Sequence, residues 1–195
     1  MARFKPITLT VFLLVVICAG LSNASMAAVE LEEGIGEIAP GNAMVVIEDE
    51  RANWTREEAI ERLSSEGEAW DTRGFPTLGY SDSAFWISVD VENHFTSDQT
   101  WLVKMKFPGT DRLDFYYQDA QGNWVEKSAG DTLPFAERDL KHHSLLFRFP
   151  VLASQSQTLY FRIQSKGSIQ LPIYLTSLAD FQVESQREYF WIGLY

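Results

Sequence analysis

The clearest pattern in the chain is a strict alternation of apolar and polar residues between positions 84 and 92. The residues of one predicted face are all apolar: Phe85, Ile87, Val89 and Val91. The intervening residues are polar except for the first: Trp86, Ser88, Asp90 and Glu92. A period of two is typical of an antiparallel strand with one buried face. The segment before it, residues 74–79, contains two glycines and a proline, which predict turns.

Seven further segments have the apolar or alternating character of short strands. They are residues 43–48, 101–107, 112–118, 124–127, 144–149, 158–164 and 171–175. About eight short strands separated by turn residues are typical of an all-β sandwich or barrel. No helical pattern lies between the strands that follow residue 84, which excludes a parallel βαβ sheet. We therefore predict an all-β domain of about eight antiparallel strands over residues 43–176.

Two helices flank these strands in the prediction. Thr55 and Glu58 have the spacing of a capping box, so a short helix should begin after Thr55 and end near Ser64. At the other end, Ser177 can cap a helix that has Asp180 in its first turn. This second helix is predicted over residues 177–195.

The first 27 residues have the three parts of a secretory signal peptide. Arg3 and Lys5 precede an apolar run over 7–21, and small residues follow it. Cleavage after Ala24 or after Ala27 would suit the small residues there. The alternative is an uncleaved anchor helix, and both interpretations predict export. Residues 28–42 are acidic and rich in glycine, and we predict a flexible lead-in there.

The last seven residues, 189–195, carry no charge, and four of them are aromatic. Tryptophan and tyrosine favour the headgroup level of a bilayer, so the segment is typical of the start of a first transmembrane helix. On that interpretation the chain is truncated. The alternative is a terminal helix that packs on the sandwich through its aromatic rings. The sequence leaves both open.

The net charge excludes one class of partner, and the cysteine content excludes several kinds of reactive site. The net charge is −11, whereas nucleic-acid binding needs a basic surface, so nucleic acid is excluded as a partner. The one cysteine, Cys18, lies in the targeting segment. After cleavage the chain would have no disulfide, no thiol nucleophile and no thiolate metal site.

An ordered set of residues resembles a known family over about residues 40–195. The set is Trp54-Thr-Arg-Glu-Glu-Ala59, Gly79-Tyr-Ser-Asp-Ser-Ala-Phe-Trp86, Asn93, Trp101, Asp114-Phe-Tyr-Tyr117, Gly130-Asp131, Leu133-Pro-Phe135, Arg138 and Arg162. It resembles the type-2 extracellular sensory domain of bacterial seven-transmembrane receptors with diverse intracellular signalling modules, the 7TM-DISM family.

The resemblance implies a jelly-roll-like β-sandwich in the periplasm, similar to carbohydrate-binding modules. It also implies that seven membrane helices and an intracellular output domain follow, so that any cyclase, kinase or phosphatase activity lies beyond residue 195. The domain itself would sense a carbohydrate or another small molecule and pass its occupancy to the membrane helices. The family supplies no agreed ligand residues. The oligomeric state stays open, a homodimer included.

The sequence contains no motif of a catalytic site and no ligand spacing of a metal site, and it implies no cofactor. We therefore predict that the domain is not an enzyme. Calcium bound by loop carboxylates is the alternative for a metal, although no ligand-loop pattern supports it. Those carboxylates are Asp71, Asp82, Asp111 and Asp114. A secreted, non-catalytic carbohydrate-binding module is the alternative function.

Five residues are candidates for ligand contact. Trp86, Tyr116 and Tyr174 fall out of phase with the apolar faces of their strands, and such rings bind sugars by stacking. Arg138 and Arg162 could bind a carboxylate or sugar hydroxyls. The alternative is that the rings pack beneath loops or beneath the helix that follows Thr55. The arginines would then pair with the protein's own carboxylates.

Overall fold

The computed structural model describes residues 27–32, 34–70 and 74–192. This part of the chain forms thirteen strands: β1 (Val29–Leu31), β2 (Glu37–Ile38), β3 (Met44–Asp49), β4 (Glu68–Ala69), β5 (Thr77–Tyr80), β6 (Ala84–Asn93), β7 (Gln99–Met105), β8 (Arg112–Gln118), β9 (Trp124–Ala129), β10 (Leu145–Val151), β11 (Ser156–Gln164), β12 (Ser168–Gln170) and β13 (Ile173–Ser177). Its two α-helices are α1 (Arg56–Glu66) and α2 (Leu178–Ile192).

The strands form two main sheets and a small ribbon. The large sheet has the order β4-β3-β6-β11-β8-β9, and β1 pairs in parallel with the far end of β6. The small sheet has the order β10-β7-β13-β2, and β12 pairs with β5 in a separate two-stranded ribbon. Every pairing except β1–β6 is antiparallel.

The core lies between the facing sides of the two main sheets. Phe85, Ile87, Val89 and Val91, the alternating residues of β6, are all buried in it. Phe115 of the large sheet stands near its centre, with its ring centroid 5.5 Å from that of Phe147 in the small sheet. Buried aromatic rings of this kind contribute much of a sandwich core's stability.

The predicted jelly-roll-like β-sandwich is confirmed, and all eight predicted strands are present within a few residues of their expected bounds. The structure adds five short strands. Two of them, β1 and β2, lie in the predicted flexible lead-in over 28–42, where Val29 and Leu31 are buried against the core. The lead-in therefore belongs to the fold. Strands of two to four residues are too short to show a period, and their pairing depends on distant partners.

Helix α1 begins as the capping box predicts. The Thr55 hydroxyl accepts the N–H of Glu58, and the Glu58 carboxylate accepts the N–H of Thr55 at 2.8 Å. Its apolar face, Ala59 and Leu63, is buried against the outer side of the large sheet. The helix therefore covers a surface that a bare sandwich would leave open.

Helix α2 begins at the predicted cap, because the Ser177 hydroxyl accepts the N–H of Asp180 at 3.0 Å. None of the helices in the described residues is long and apolar enough to span a bilayer. The aromatic segment predicted as a membrane entry ends outside the described residues, at 193–195. The predicted signal peptide also lies outside them, except for Ala27.

Candidate functional site

Three of the five predicted ligand residues, Trp86, Tyr116 and Arg162, meet on the outer face of the large sheet. Trp86 lies opposite Arg162 in the β6–β11 register, and it stacks on Tyr116 with ring centroids 5.7 Å apart. Helix α1 packs over both rings, so Trp86 is only 1% exposed and Tyr116 6%. Neither ring offers an open face for stacking against a sugar. Trp86 and Tyr116 therefore follow the alternative given in the sequence analysis, in which the rings pack beneath the helix that follows Thr55.

Arg162 lines a cleft of about 410 Å³ beside these rings, which we call the arginine cleft. Its central group is Asp114, which is 1% exposed. Both oxygens of Asp114 accept from Nε of Arg112 at 2.9 Å, and one accepts from the Ser128 hydroxyl at 2.6 Å. Arg162 lies 3.6 Å from the same carboxylate. Two of the cleft's arginines are thus paired within the protein.

Two other donors of the arginine cleft are buried without a hydrogen-bond partner. They are the indole N–H of Trp86 and Nε of Arg56. Leaving a buried donor unpaired costs free energy, and an acceptor oxygen supplied by a ligand would recover it. Any ligand contact of Trp86 here would therefore pass through its N–H and not through its ring face.

The phenol of Tyr116 is held in its neutral form. Burial raises the pKa of Tyr116 far above its ordinary value of 10.0, and the charge of Asp114 raises it further. The phenol therefore stays protonated.

The other two predicted ligand residues lie apart from this cluster and from each other. Tyr174 is half-buried on the outer face of the small sheet, with the ammonium of Lys106 4.2 Å from its ring centroid. Arg138 follows a short 3-10 turn, lies over the ring of Phe135 and donates to the carbonyl of His142 at 3.0 Å. The five candidates therefore do not form one site.

A second cleft, of about 790 Å³, lies along the edge of β3, and we call it the edge cleft. Strand β4 pairs only with Val45 and Val46, so the rest of β3 has no strand on that side. The end of α1 and the turn after β3 border the opening. Three large apolar side chains line it as well: Trp70, Leu78 and Phe85.

Asp49 supplies the edge cleft with a buried carboxylate that is only partly hydrogen-bonded. It ends β3, lines the cleft and has no exposed surface. One carboxylate oxygen accepts the backbone N–H of Trp54 at 2.9 Å, and the other has no hydrogen-bond partner. Nε1 of Trp70, another lining residue, is also buried without a partner. One unsatisfied acceptor and one unsatisfied donor thus border the same cleft.

The edge cleft is acidic overall. Five carboxylate residues line it, Glu48, Asp49, Glu50, Glu66 and Glu68, against two basic residues, Arg51 and Arg62. Arg62 already pairs with Glu66 at 3.5 Å. The electrostatic potential in the cleft therefore favours a positive group over a negative one.

The turn at residues 50–54 separates the two clefts, since Asn53 and Trp54 line both. The turn closes with a hydrogen bond of 3.0 Å from the N–H of Ala52 to the carbonyl of Asp49. Ala52 has a φ of +52°, a left-handed conformation that an L residue with a Cβ adopts at a cost. The turn also holds Asp49 in place, because the backbone N–H of Trp54 donates to its carboxylate.

Within the described residues, no group of three or more histidine, cysteine or acidic side chains could hold a metal ion. Asp111, Asp114 and Asp82 of the predicted calcium alternative do not form such a group, and Asp71 lies outside the described part. The edge cleft must therefore be interpreted through hydrogen bonding and charge.

Sequence reasoning missed the edge cleft. Glu48-Asp49-Glu50 has the composition of a solvated acidic run, and none of the five predicted ligand residues lines the cleft. One signal was available. Asp49 has the same strand parity as Val45 and Ile47, both of which pack beneath α1. A carboxylate in phase with buried residues predicts a buried charge.

A buried lysine joins α2 to the small sheet. Lys104 of β7 has a side chain only 4% exposed, and its ammonium lies 2.7 Å from Glu37 of β2 and 3.1 Å from Glu184 of α2. Lys106 also pairs with Glu37. Phe181 packs edge-on against His142, with ring centroids 5.4 Å apart. The N-terminal strand β2 and the C-terminal helix therefore meet at one cation.

We expect this ion-pair cluster to contribute stability only between acidic and strongly alkaline pH. Burial by itself would raise the pKa of Glu37, but hydrogen bonds from Lys104 and Lys106 lower it below its usual 4.5. Burial by itself would lower the pKa of Lys104, but hydrogen bonds to Glu37 and Glu184 raise it above 10.5. The free-energy difference between wild type and Glu37→Gln should be constant near neutrality and fall as pH drops through the lowered pKa. Urea unfolding from pH 3 to 7 measures it. A difference that grew toward low pH would contradict the assignment.

Comparison with known proteins identifies a family and includes weak likenesses to solved structures. A family model described as 7TMR-DISM extracellular 2 matches residues 41–177. The structure of TmCBM61 in complex with beta-1,4-galactotriose has 11% identity and a TM-score of 0.35, covering 69% of this chain and 88% of that one. CBM32-3 from a family 31 glycoside hydrolase of Clostridium perfringens has 7% identity and a TM-score of 0.27, with coverages of 73% and 95%. The curated proteins contain no match.

Proposed function

The chain belongs to the 7TMR-DISM extracellular 2 family, and from this premise we propose that it is the ligand-sensing domain of a membrane signal-transduction receptor. The family is one of extracellular domains, so the domain lies outside the cytoplasm. The finer proposal is a periplasmic domain of an inner-membrane protein. Its ligand is a carbohydrate or another small molecule.

One observation supports a binding role above all others: the edge cleft holds a buried carboxylate oxygen and a buried indole N–H that nothing in the protein satisfies. Natural folds satisfy nearly all buried polar groups, and exceptions concentrate at functional sites. A volume of about 790 Å³ is also within the usual range for small-molecule sites. The ligand therefore binds between the edge of β3, the end of α1 and Trp70.

The proposal includes binding without turnover. Ligand occupancy can change a receptor only if the ligand has different affinities for two conformations of the protein. In this domain the turn at residues 50–54 supplies a conformation that changes with occupancy, and α2 is the segment that continues toward the membrane. Any enzymatic output belongs to a separate domain.

A ligand screen with a cleft-blocking variant tests the proposal. Saccharides, amines, amino acids and carboxylates are screened by thermal shift on the purified chain. A ligand at 100 times its Kd should raise the Tm by about 5–10 °C, since it stabilises the folded state by about 2.7 kcal/mol. In Ala69→Trp, which places a large ring in the edge cleft, the shift should disappear.

The matched control is Ala120→Trp, which places the same ring in the exposed β8–β9 hairpin loop, far from the cleft in the sheet order. It should keep the full shift. Equal shifts in wild type and Ala69→Trp would locate the ligand elsewhere and contradict the proposal for this cleft. The absence of any shift across the screen would contradict the binding role itself.

The membrane part of the proposal has its own test. Sequencing the source gene past codon 195 should reveal about seven apolar stretches of roughly 20 residues each. A stop codon or a polar linker there would favour the alternative, a secreted carbohydrate-binding module, over the receptor.

A further inference from the structure

We propose that the edge cleft recognises an ammonium group, so that its ligand is an amine-bearing small molecule such as an amino sugar or a diamine. This inference rests on the proposed function, because it names the ligand class of the same cleft. Asp49 and the aromatic lining of the cleft support it.

The carboxylate of Asp49 lacks a partner for its charge. It has no exposed surface, and its single hydrogen bond comes from the neutral backbone N–H of Trp54. None of the ion pairs between described residues involves Asp49. A buried charge is costly unless it is paired, and a charge-assisted bond from an N–H⁺ donor compensates it better than a neutral hydroxyl does.

The aromatic lining of the cleft suits the same group. Trp54, Trp70 and Phe85 border the cleft, and indole rings attract cations most strongly through their faces. Trp54 already does so within the protein, because the guanidinium of Arg62 lies 4.6 Å from its ring centroid. The unpartnered N–H of Trp70 can meanwhile donate to a hydroxyl or carbonyl oxygen on the rest of the ligand.

Other occupants fit less well. A metal ion would need several carboxylate or imidazole ligands, and the described residues contain no such group. An anion would meet five carboxylate residues and only two arginines. A neutral sugar could use the aromatic walls but would leave the charge of Asp49 uncompensated.

Because Asp49 has no exposed surface, the ligand reaches it only when the turn at residues 50–54 moves outward. Glu50, Arg51 and Asn53 are exposed. Three hydrogen bonds hold the backbone of the turn: from Ala52 to the Asp49 carbonyl, from Trp54 to the Asp49 carboxylate, and from Arg162 to the Ala52 carbonyl at 3.4 Å. The left-handed Ala52 stores strain that such a movement would release. Binding of an amine therefore selects an open turn, the differential affinity that a sensor requires.

Paired probes that differ only in the amine test the inference by calorimetry on the full chain. Glucosamine is compared with glucose, and putrescine with 1,4-butanediol. At neutral pH we expect at least one amine to bind about 10- to 100-fold more tightly than its hydroxyl partner, the range for a charge-assisted over a neutral hydrogen bond. That binding should be absent from Ala69→Trp.

The variant Asp49→Asn distinguishes a role of the Asp49 carboxylate in binding the amine from a role in stabilising the fold. The asparagine keeps the shape and can still accept the N–H of Trp54, but it replaces the unpaired oxygen with a donor. The preference for the amine should fall at least tenfold, while the Tm without ligand should stay level or rise, because an unpaired buried charge has been removed. Glu50→Gln, an exposed acid of the same cleft, should keep most of the preference.

Each outcome decides one of the two proposals. Equal binding of amine and hydroxyl probes that is lost in Ala69→Trp overturns the ammonium inference and leaves the sensing function standing. Lack of amine-dependent binding in both pairs overturns the inference as well. Amine binding that survives both Asp49→Asn and Ala69→Trp shows that the amine binds elsewhere, and the inference fails. A fall in Tm for Asp49→Asn would indicate that the carboxylate has a structural partner.

Discussion

Replacing Trp86 by alanine is expected to destabilise the domain by about 3–5 kcal/mol, the usual cost of removing a fully buried large aromatic side chain. The indole is 1% exposed, stacks on Tyr116 and packs against Ala59 and Leu63 of α1. The change would leave a cavity between the helix and the large sheet. Urea unfolding measures the free energy, and the Tm should fall by about 10 °C.

Two further variants separate the packing role of Trp86 from a ligand role. Trp86→Phe keeps a six-membered ring but removes the second ring of the indole together with its unpartnered N–H, so it should cost less stability than Trp86→Ala. Trp124→Ala removes a half-buried indole on the same sheet face and should also cost less than Trp86→Ala. If Trp86→Ala and Trp124→Ala cost the same, burial beneath α1 does not explain Trp86. If Trp86→Phe weakens binding of a ligand, the part of the indole that carries the N–H contacts that ligand.

Local patterns in the sequence predicted those parts of the fold that local physics determines. The alternation in β6 identified its buried face, because side chains of a strand alternate whatever the strand pairs with. The capping box at Thr55 and the cap at Ser177 fixed the starts of both helices, because each satisfies backbone groups within three residues.

Features of the fold that depend on residues far away in the sequence could not be predicted from local patterns. Strand β1 has only three residues and gains its order by pairing with β6, some sixty residues later. Trp86 falls on the polar side of β6, so the sequence gives its burial beneath α1 only as an alternative to ligand contact. Asp49 and Glu50 are adjacent acids, yet the turn after β3 buries the first and leaves the second exposed. Strand parity distinguishes them only if the strand extends to Asp49, and the strand predicted over 43–48 stops one residue short of it.

The second large effect concerns Lys104, whose ammonium contacts both Glu37 of β2 and Glu184 of α2. The large sheet carries the edge cleft, whereas α2 docks on the small sheet on the other side of the core. A change at the cleft can reach α2 only through the packed sandwich or through the N-terminal segment. That segment contains β1, which pairs with β6, and β2, which pairs with β13 and supplies Glu37 to Lys104. Lys104 is therefore one point where both routes meet the helix, besides the N–H of Gly34, which donates to Asp180 of α2 at 3.3 Å.

Lys104→Met is expected to destabilise the domain by about 3 kcal/mol, near the lower end of the range for breaking a buried ion pair, because Glu37 keeps Lys106 as a partner. Methionine preserves the volume of the side chain, so the loss reports on charge. Glu184 would lose its partner in the small sheet, and α2 should loosen before the sandwich does. Hydrogen exchange at residues 178–187 should rise by about tenfold or more, while exchange in β6 and β11 should rise only with global stability.

Lys106→Met is the matched control. Its ammonium contacts the same Glu37, but its side chain is 40% exposed and makes no ion pair with α2 among the described residues. We expect it to cost less than about 1 kcal/mol, as exposed pairs do, and to leave exchange in α2 unchanged. Equal losses for the two lysines would mean that burial gives Lys104 no special role. A stable Lys104→Met protein with unchanged exchange in α2 would show that contacts such as Phe181 with His142 hold the helix without the cation.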